Sequence, residues 1–83
     1  MGRCDGMKVT LYTAPVCPFC LIVANFLRRN SVKFTEIDIS KDPKKKSEME
    51  RKSGQSQVPV TDAGGKIIVG YDLKRLKEAL DIK

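Results

Sequence analysis

The stretch KVTLYTAPVCPFC, residues 8–20, limits the fold more than any other part of the chain. It opens as a strand, because Val9, Leu11 and Tyr12 with two threonines are residues that suit a pleated surface. Pro15 and Pro18 then bracket a turn. Pro18 marks a helix start, since the first helical position needs no N–H and proline's fixed φ fits it. Val23, Phe26 and Leu27 follow Cys20 at helical spacing and supply a buried stripe. That helix should end near Asn30-Ser31. A strand that runs into a helix N-terminus, with two cysteines at the junction, leaves few architectures open.

The remainder continues the alternation. In VKFTEIDI, residues 32–39, Val32, Phe34, Ile37 and Ile39 read as a strand whose alternation slips once. Ser40 to Asp42 supply helix-start residues, and Pro43 stands near the first turn of a charged helix over 43–53. Met49 is its only large apolar residue, so its buried face is narrow, and Gly54 should end it. VPVTDAGGKIIVG holds two short strands about Gly64-Gly65, a hairpin signal. DLKRLKEALDI closes the chain as an amphipathic helix with Leu73, Leu76, Ala79 and Leu80 on one face and Asp72 as its N-cap. The order β-α-β-α-β-β-α implies a parallel first pair with a right-handed crossover and an antiparallel last pair. The expected fold class is α/β: a four-stranded mixed sheet with helices on both faces. Residues 1–7 read as a loose lead and residues 8–83 as one domain, as the length of 83 also suggests.

Charge and cysteine usage narrow the function classes. The net charge of +6 would attract anions, but the basic residues are scattered apart from Lys44-Lys45-Lys46. No aromatic residues interleave with that run, so it reads as a solvated helix face, and nucleic acid is not an expected partner. The opening MGRCDGM lacks the apolar segment of a secretion signal, and Leu21 to Ala24 is too short to span a bilayer. The default address is cytoplasmic, without a membrane partner, where thiols are kept reduced. Three cysteines would also leave a disulfide framework with one unpaired.

Cys17 stands at the strand–helix junction, where first-turn N–H groups lack partners and the helix dipole favours negative charge. A thiol there loses its proton more readily, and the thiolate is the nucleophile. Cys20 lies one turn on, facing the protein. An exposed attacker with a sheltered partner is what a redox pair needs, and C-x-x-C near a βαβ pattern carries that signal. Zinc would want four Cys or His ligands, and the chain has three cysteines and no histidine. An inert structural pair is the other alternative. Cys4 reads as an incidental thiol.

YTAPVCPFC, VPV and GGKIIVGYD together resemble the glutaredoxins over residues 8–82. The resemblance implies a minimal thioredoxin fold, in agreement with the order β-α-β-α-β-β-α read above. The resemblance implies a thiol–disulfide oxidoreductase in which Cys17 attacks a disulfide and Cys20 resolves the mixed disulfide. It implies a cis-proline loop at Val58-Pro59, whose Val58 backbone pairs with an extended substrate. It places Phe19, Gln57, Gly70, Tyr71 and Asp72 at a substrate or glutathione site, with glutathione as co-substrate and no tightly bound cofactor or metal. A monomer is expected. The chain departs from the family in having Ala14 where a lysine is common, Gln57 before Val58-Pro59, and Leu73 where a second acidic or hydroxyl residue is usual. Leu21, on the Cys17 side of its helix, suggests a protein-docking surface. Three readings follow: a glutathione-dependent dithiol glutaredoxin; a glutaredoxin-like donor recharged by a thioredoxin-reductase-type flavoprotein and serving disulfide-containing proteins; or a non-enzymatic iron–sulfur or metal-binding module. Pro18 argues against the last, because cluster-binding relatives more often carry small residues there.

Overall fold

In the computed structural model, residues 8–80 are described, and they contain seven elements in the order expected. These are β1 (Val9–Thr13), α1 (Pro18–Arg29), β2 (Thr35–Asp38), α2 (Pro43–Ser53), β3 (Val60–Ala63), β4 (Lys66–Val69) and α3 (Leu73–Leu80). The lead, with Cys4, and residues 81–83, which include the last part of the segment read from the sequence as the closing helix, lie outside the described residues. The sheet runs β2-β1-β3-β4. β1 pairs parallel with β2 and antiparallel with β3, and β3 with β4 form the hairpin. Gly64 and Gly65, at φ 62 and 102, fill its two-residue turn, where both positions require the left-handed region.

Every residue of β1 is buried, as befits an inner strand covered on both faces. Val9 and Leu11 face a core built with Val23, Ala24 and Leu27 of α1 and Leu76, Ala79 and Leu80 of α3. Tyr12 faces the opposite core with Ile39, Met49 and Val60. Met49 is the single buried residue of α2, so the narrow face read from the sequence is what that helix inserts.

The second strand needs correction. It begins at Thr35, not Val32. Val32 and Phe34 pack into the α1/α3 core, whereas Ile37 and Ile39 pack with Tyr12 and Met49. The slip in alternation is thus a change of face: the chain leaves one core before the strand and enters the other within it. α1 is closed by Ser31 at φ 58, with the Val32 N–H on the Leu27 carbonyl at 2.9 Å. This is the glycine-type helix ending, built on a serine.

α2 is tied to the sheet by a polar cluster. The Tyr12 hydroxyl donates to Glu48 at 2.6 Å and accepts from the Lys52 ammonium at 3.1 Å. Lys52 also donates to Asp62 on β3 at 2.7 Å. The Tyr12 hydroxyl and the neighbouring lysines hold the Glu48 carboxyl below the usual range. Bonds to Asp62 and then Tyr12 hold the Lys52 ammonium above its own. Burial, and then the bond to Glu48, raise the Tyr12 phenol.

Candidate active site

Strand register brings three segments to one end of the sheet. β1 runs towards Cys17, and β3 is antiparallel to it, so the Gln57-Val58-Pro59 segment entering β3 lies beside the segment leaving β1. β4 returns to the same end, where the Gly70 N–H donates to the Pro59 carbonyl at 2.7 Å. The Val58-Pro59 bond is cis. Gly70, at φ 81, makes the turn that leads through Tyr71 and Asp72 into α3.

Cys17 is the N-cap of α1, with extended backbone at φ −146 and ψ 97, and Pro18 follows in the first turn. Its sulfur accepts the Cys20 N–H at 3.1 Å. The two sulfurs are joined as a disulfide, with Cα atoms 5.3 Å apart. Cys20 is buried, whereas Cys17 keeps part of its surface open and lines a cleft beside the disulfide. No acidic side chain occupies the first turn of α1. Once the pair is reduced, the N–H that now points at Cys17 and the aligned peptide dipoles favour a thiolate over a thiol there.

The surroundings of that sulfur are apolar. Val16 is 92% exposed, Leu21 61% and Phe19 54%. The Phe19 ring stacks on Tyr71 with centroids 5.7 Å apart and planes 20° from parallel, which joins the start of α1 to the Gly70 turn. A cleft of about 450 Å³ beside the disulfide is lined by Ala14, Val16, Cys17, Cys20, Leu21 and Glu36, among others. Glu36 is the one charged residue of that lining.

Other expected site residues have structural partners. Gln57 is exposed, and the Gln55 side chain holds its backbone, accepting the Gln57 N–H at 2.6 Å and donating to its carbonyl at 2.9 Å. Asp72 caps α3: one carboxylate oxygen accepts the Arg75 N–H at 3.1 Å and the other lies 3.7 Å from the Arg75 guanidinium. The Val58 N–H and carbonyl make no hydrogen bond among the described residues. Buried Pro59 fixes the end of the loop. Val16 and Glu36 join the site without having been expected there. Val16 offers one signal in the sequence, an apolar side chain inside a proline-bracketed turn. Glu36 offers none, because only the register of β2 on β1 brings it there. No three Cys, His, Asp or Glu side chains gather as a possible metal-holding group among the described residues. No helix among the described residues is long and apolar enough to cross a membrane.

Comparison with known proteins agrees with this geometry. The glutaredoxin family model matches residues 9–68. The chain is 30% identical to an uncharacterised glutaredoxin-like 8.6 kDa protein of the rubredoxin operon of Clostridium pasteurianum, over 88% of this chain and 97% of that one. It is 36% identical to a glutaredoxin of Neisseria meningitidis, covering 84% and 85% of the two chains. The crystal structure of a glutaredoxin from Archaeoglobus fulgidus superposes with a TM-score of 0.80 at 32% identity, over 95% of this chain and 86% of that one. With a C-x-x-C pair at a helix N-terminus, a cis-proline loop beside it and a family match over most of its length, the chain belongs to the glutaredoxin family of thiol–disulfide oxidoreductases.

Proposed function

We propose that this chain reduces disulfides in other proteins and is itself recharged by a thioredoxin-reductase-type flavoprotein, not by glutathione. The Cys17 thiolate attacks one sulfur of the substrate disulfide. A Cys17–substrate bond forms, the substrate's own S–S bond breaks, and its second sulfur leaves as a thiolate that takes up a proton. Cys20, having lost its proton, then attacks the Cys17 sulfur. The Cys17–Cys20 bond forms and the substrate departs with both sulfurs reduced. Two electrons and two protons pass to the substrate, and the flavoprotein returns them in a second exchange.

The observation that carries this reading is the chemistry around Cys17. Glutathione is a peptide with two carboxylates and one ammonium, and its binding calls for a cation near the nucleophile. The cleft there offers apolar side chains and the Glu36 carboxylate, and Ala14 stands where relatives commonly have lysine. Exposed Val16, Phe19, Leu21 and Tyr71 suit a protein surface better than a small anionic peptide. The Val58 N–H and carbonyl, without a hydrogen bond among the described residues, can receive an extended segment as an added strand, whatever its side chains. The reaction needs no resident cofactor.

A glutathione-recharged glutaredoxin is the second reading. One observation favours it: the Asp72 carboxylate, partly exposed at the same end of the sheet, could meet an ammonium group. Recharging separates the two. The oxidised protein is supplied with a small disulfide and NADPH, and with either glutathione and its reductase or a thioredoxin reductase. Turnover with the flavoprotein alone is expected. Turnover with glutathione at an equal or greater rate overturns the reading.

A further inference from the structure

Beside the disulfide runs a groove that the exchange chemistry does not use. It lies between α1 and the Gly70–Leu73 turn, with a volume of about 610 Å³. Its apolar lining is Ile22, Phe26, Tyr71 and Leu73, and its charged lining is Arg28 and Arg29. No carboxylate lines it. One end meets the active site, because Tyr71 stacks on Phe19 between the two cysteines. The other end is cationic. Arg28 is partly engaged, 3.4 Å from Glu36 and over the Phe34 ring, whereas Arg29 is exposed with no hydrogen bond or ion pair among the described residues.

We infer that this groove docks an acidic segment of the substrate protein, next in sequence to the cysteine that Cys17 attacks. The inference rests on the protein-disulfide reading above and adds a substrate specificity to it. The occupant follows from the lining: an apolar floor near the sulfur wants a hydrophobic side chain, and the Arg29 guanidinium, beside a half-exposed Arg28 that Glu36 meets at 3.4 Å, wants a carboxylate. The geometry also sets the spacing. From Cys17 to Ile22 α1 rises about 7.5 Å, and from Cys17 to Arg29 about 18 Å. An extended chain advances about 3.3 Å per residue. The preferred substrate therefore carries an apolar residue about two positions from its reactive cysteine and acidic residues about five to six positions from it.

The test uses synthetic peptides with one cysteine held as a mixed disulfide with 2-mercaptoethanol. Each has leucine two positions from the cysteine and a pair of Asp, Ser or Lys residues five and six positions from it. Rates of reduction by the pre-reduced protein are compared as ratios between peptides. The Asp peptide should exceed the Lys peptide about tenfold in kcat/KM at low salt, because two exposed charge pairs attract in the first and repel in the second. The ratio should fall towards one at about 1 M salt, where screening acts within about 3 Å. Arg29→Glu, which leaves Arg28 facing a carboxylate, should bring the ratio close to one, and Arg29→Lys should keep it. These ratios are internal to each variant, so a general loss of activity or of folded protein cancels. Equal rates for all three peptides overturn the groove while leaving the disulfide chemistry standing. Failure of the wild-type protein to reduce any peptide overturns the protein-disulfide reading, and the groove with it. An unchanged Asp-over-Lys preference in Arg29→Glu also overturns the assignment.

Discussion

Tyr12→Phe should destabilise the protein and leave its redox chemistry intact. The hydroxyl sits on a fully buried side chain and makes two bonds to charged groups, Glu48 at 2.6 Å and Lys52 at 3.1 Å. Bonds to charged partners contribute about 1.5–3 kcal/mol each when neither partner can recover water. Here both can, because the Glu48 and Lys52 side chains are 30% and 36% exposed and keep Lys45 and Asp62 as partners. The net loss is then about 1–1.5 kcal/mol. A chain of this length has an unfolding entropy of about 0.17 kcal/mol/K, so Tm should fall by about 6–9 °C. Acid gives a second reading. Glu48 is depressed chiefly by the Tyr12 hydroxyl, so its contribution is present above the unfolded carboxyl value of 4.5 and is lost as pH falls through the lower folded value. The gap between the two proteins should be full at neutral pH and should narrow in more acid solution. Calorimetry at neutral and acid pH, with a disulfide-reduction assay at 25 °C, checks all three statements. A Tm change under 2 °C, or a gap that widens in acid, would refute the account of this cluster.

Other substitutions probe single features. Thr61 is buried facing the α1/α3 core, opposite Leu11 and Ile68, and its hydroxyl has no partner among the described residues. Thr61→Val should stabilise by about 1 kcal/mol, raising Tm by about 6 °C; a lower Tm would mean that the hydroxyl is satisfied. Ser31→Gly relieves a left-handed serine at the end of α1 and should add about 0.5–1 kcal/mol in urea unfolding. In the reduced protein, the rate of Cys17 alkylation should reach its plateau below the ordinary thiol range of about pH 8.5. A profile that rises through that value would show that the α1 N-terminus does not activate the sulfur.

The legible parts of this structure were those written in local pattern. Pro18 placed the start of α1 and, with it, Cys17 outside the helix body and Cys20 inside. Gly54 and the Gly64-Gly65 pair fixed two chain reversals because their backbones require a left-handed φ. The cis bond at Val58-Pro59 was legible only through family resemblance, since nothing in the local sequence separates a cis from a trans X-Pro bond. What stayed hidden depends on pairing between distant segments. Tyr12 read as a core strand residue, but its hydroxyl partners lie 36 and 40 residues away on α2. Val32 read as a strand residue because its apolar side chain fits either core, and only the packing shows that it serves the opposite one from Ile37. The groove past Tyr71 likewise depends on how the Gly70 turn lies against α1.

The central claim is that Cys17 attacks and Cys20 resolves. Trapping tests it most directly. A Cys20→Ser protein, on a Cys4→Ser background so that Cys17 is the only thiol, is mixed with an oxidised substrate protein, and the adducts are mapped by mass spectrometry without reductant. A stable mixed disulfide at Cys17 is expected, with none formed by the corresponding Cys17→Ser protein. An adduct at Cys20 in the Cys17→Ser protein, with none at Cys17 in its counterpart, would reverse the two roles and contradict the account.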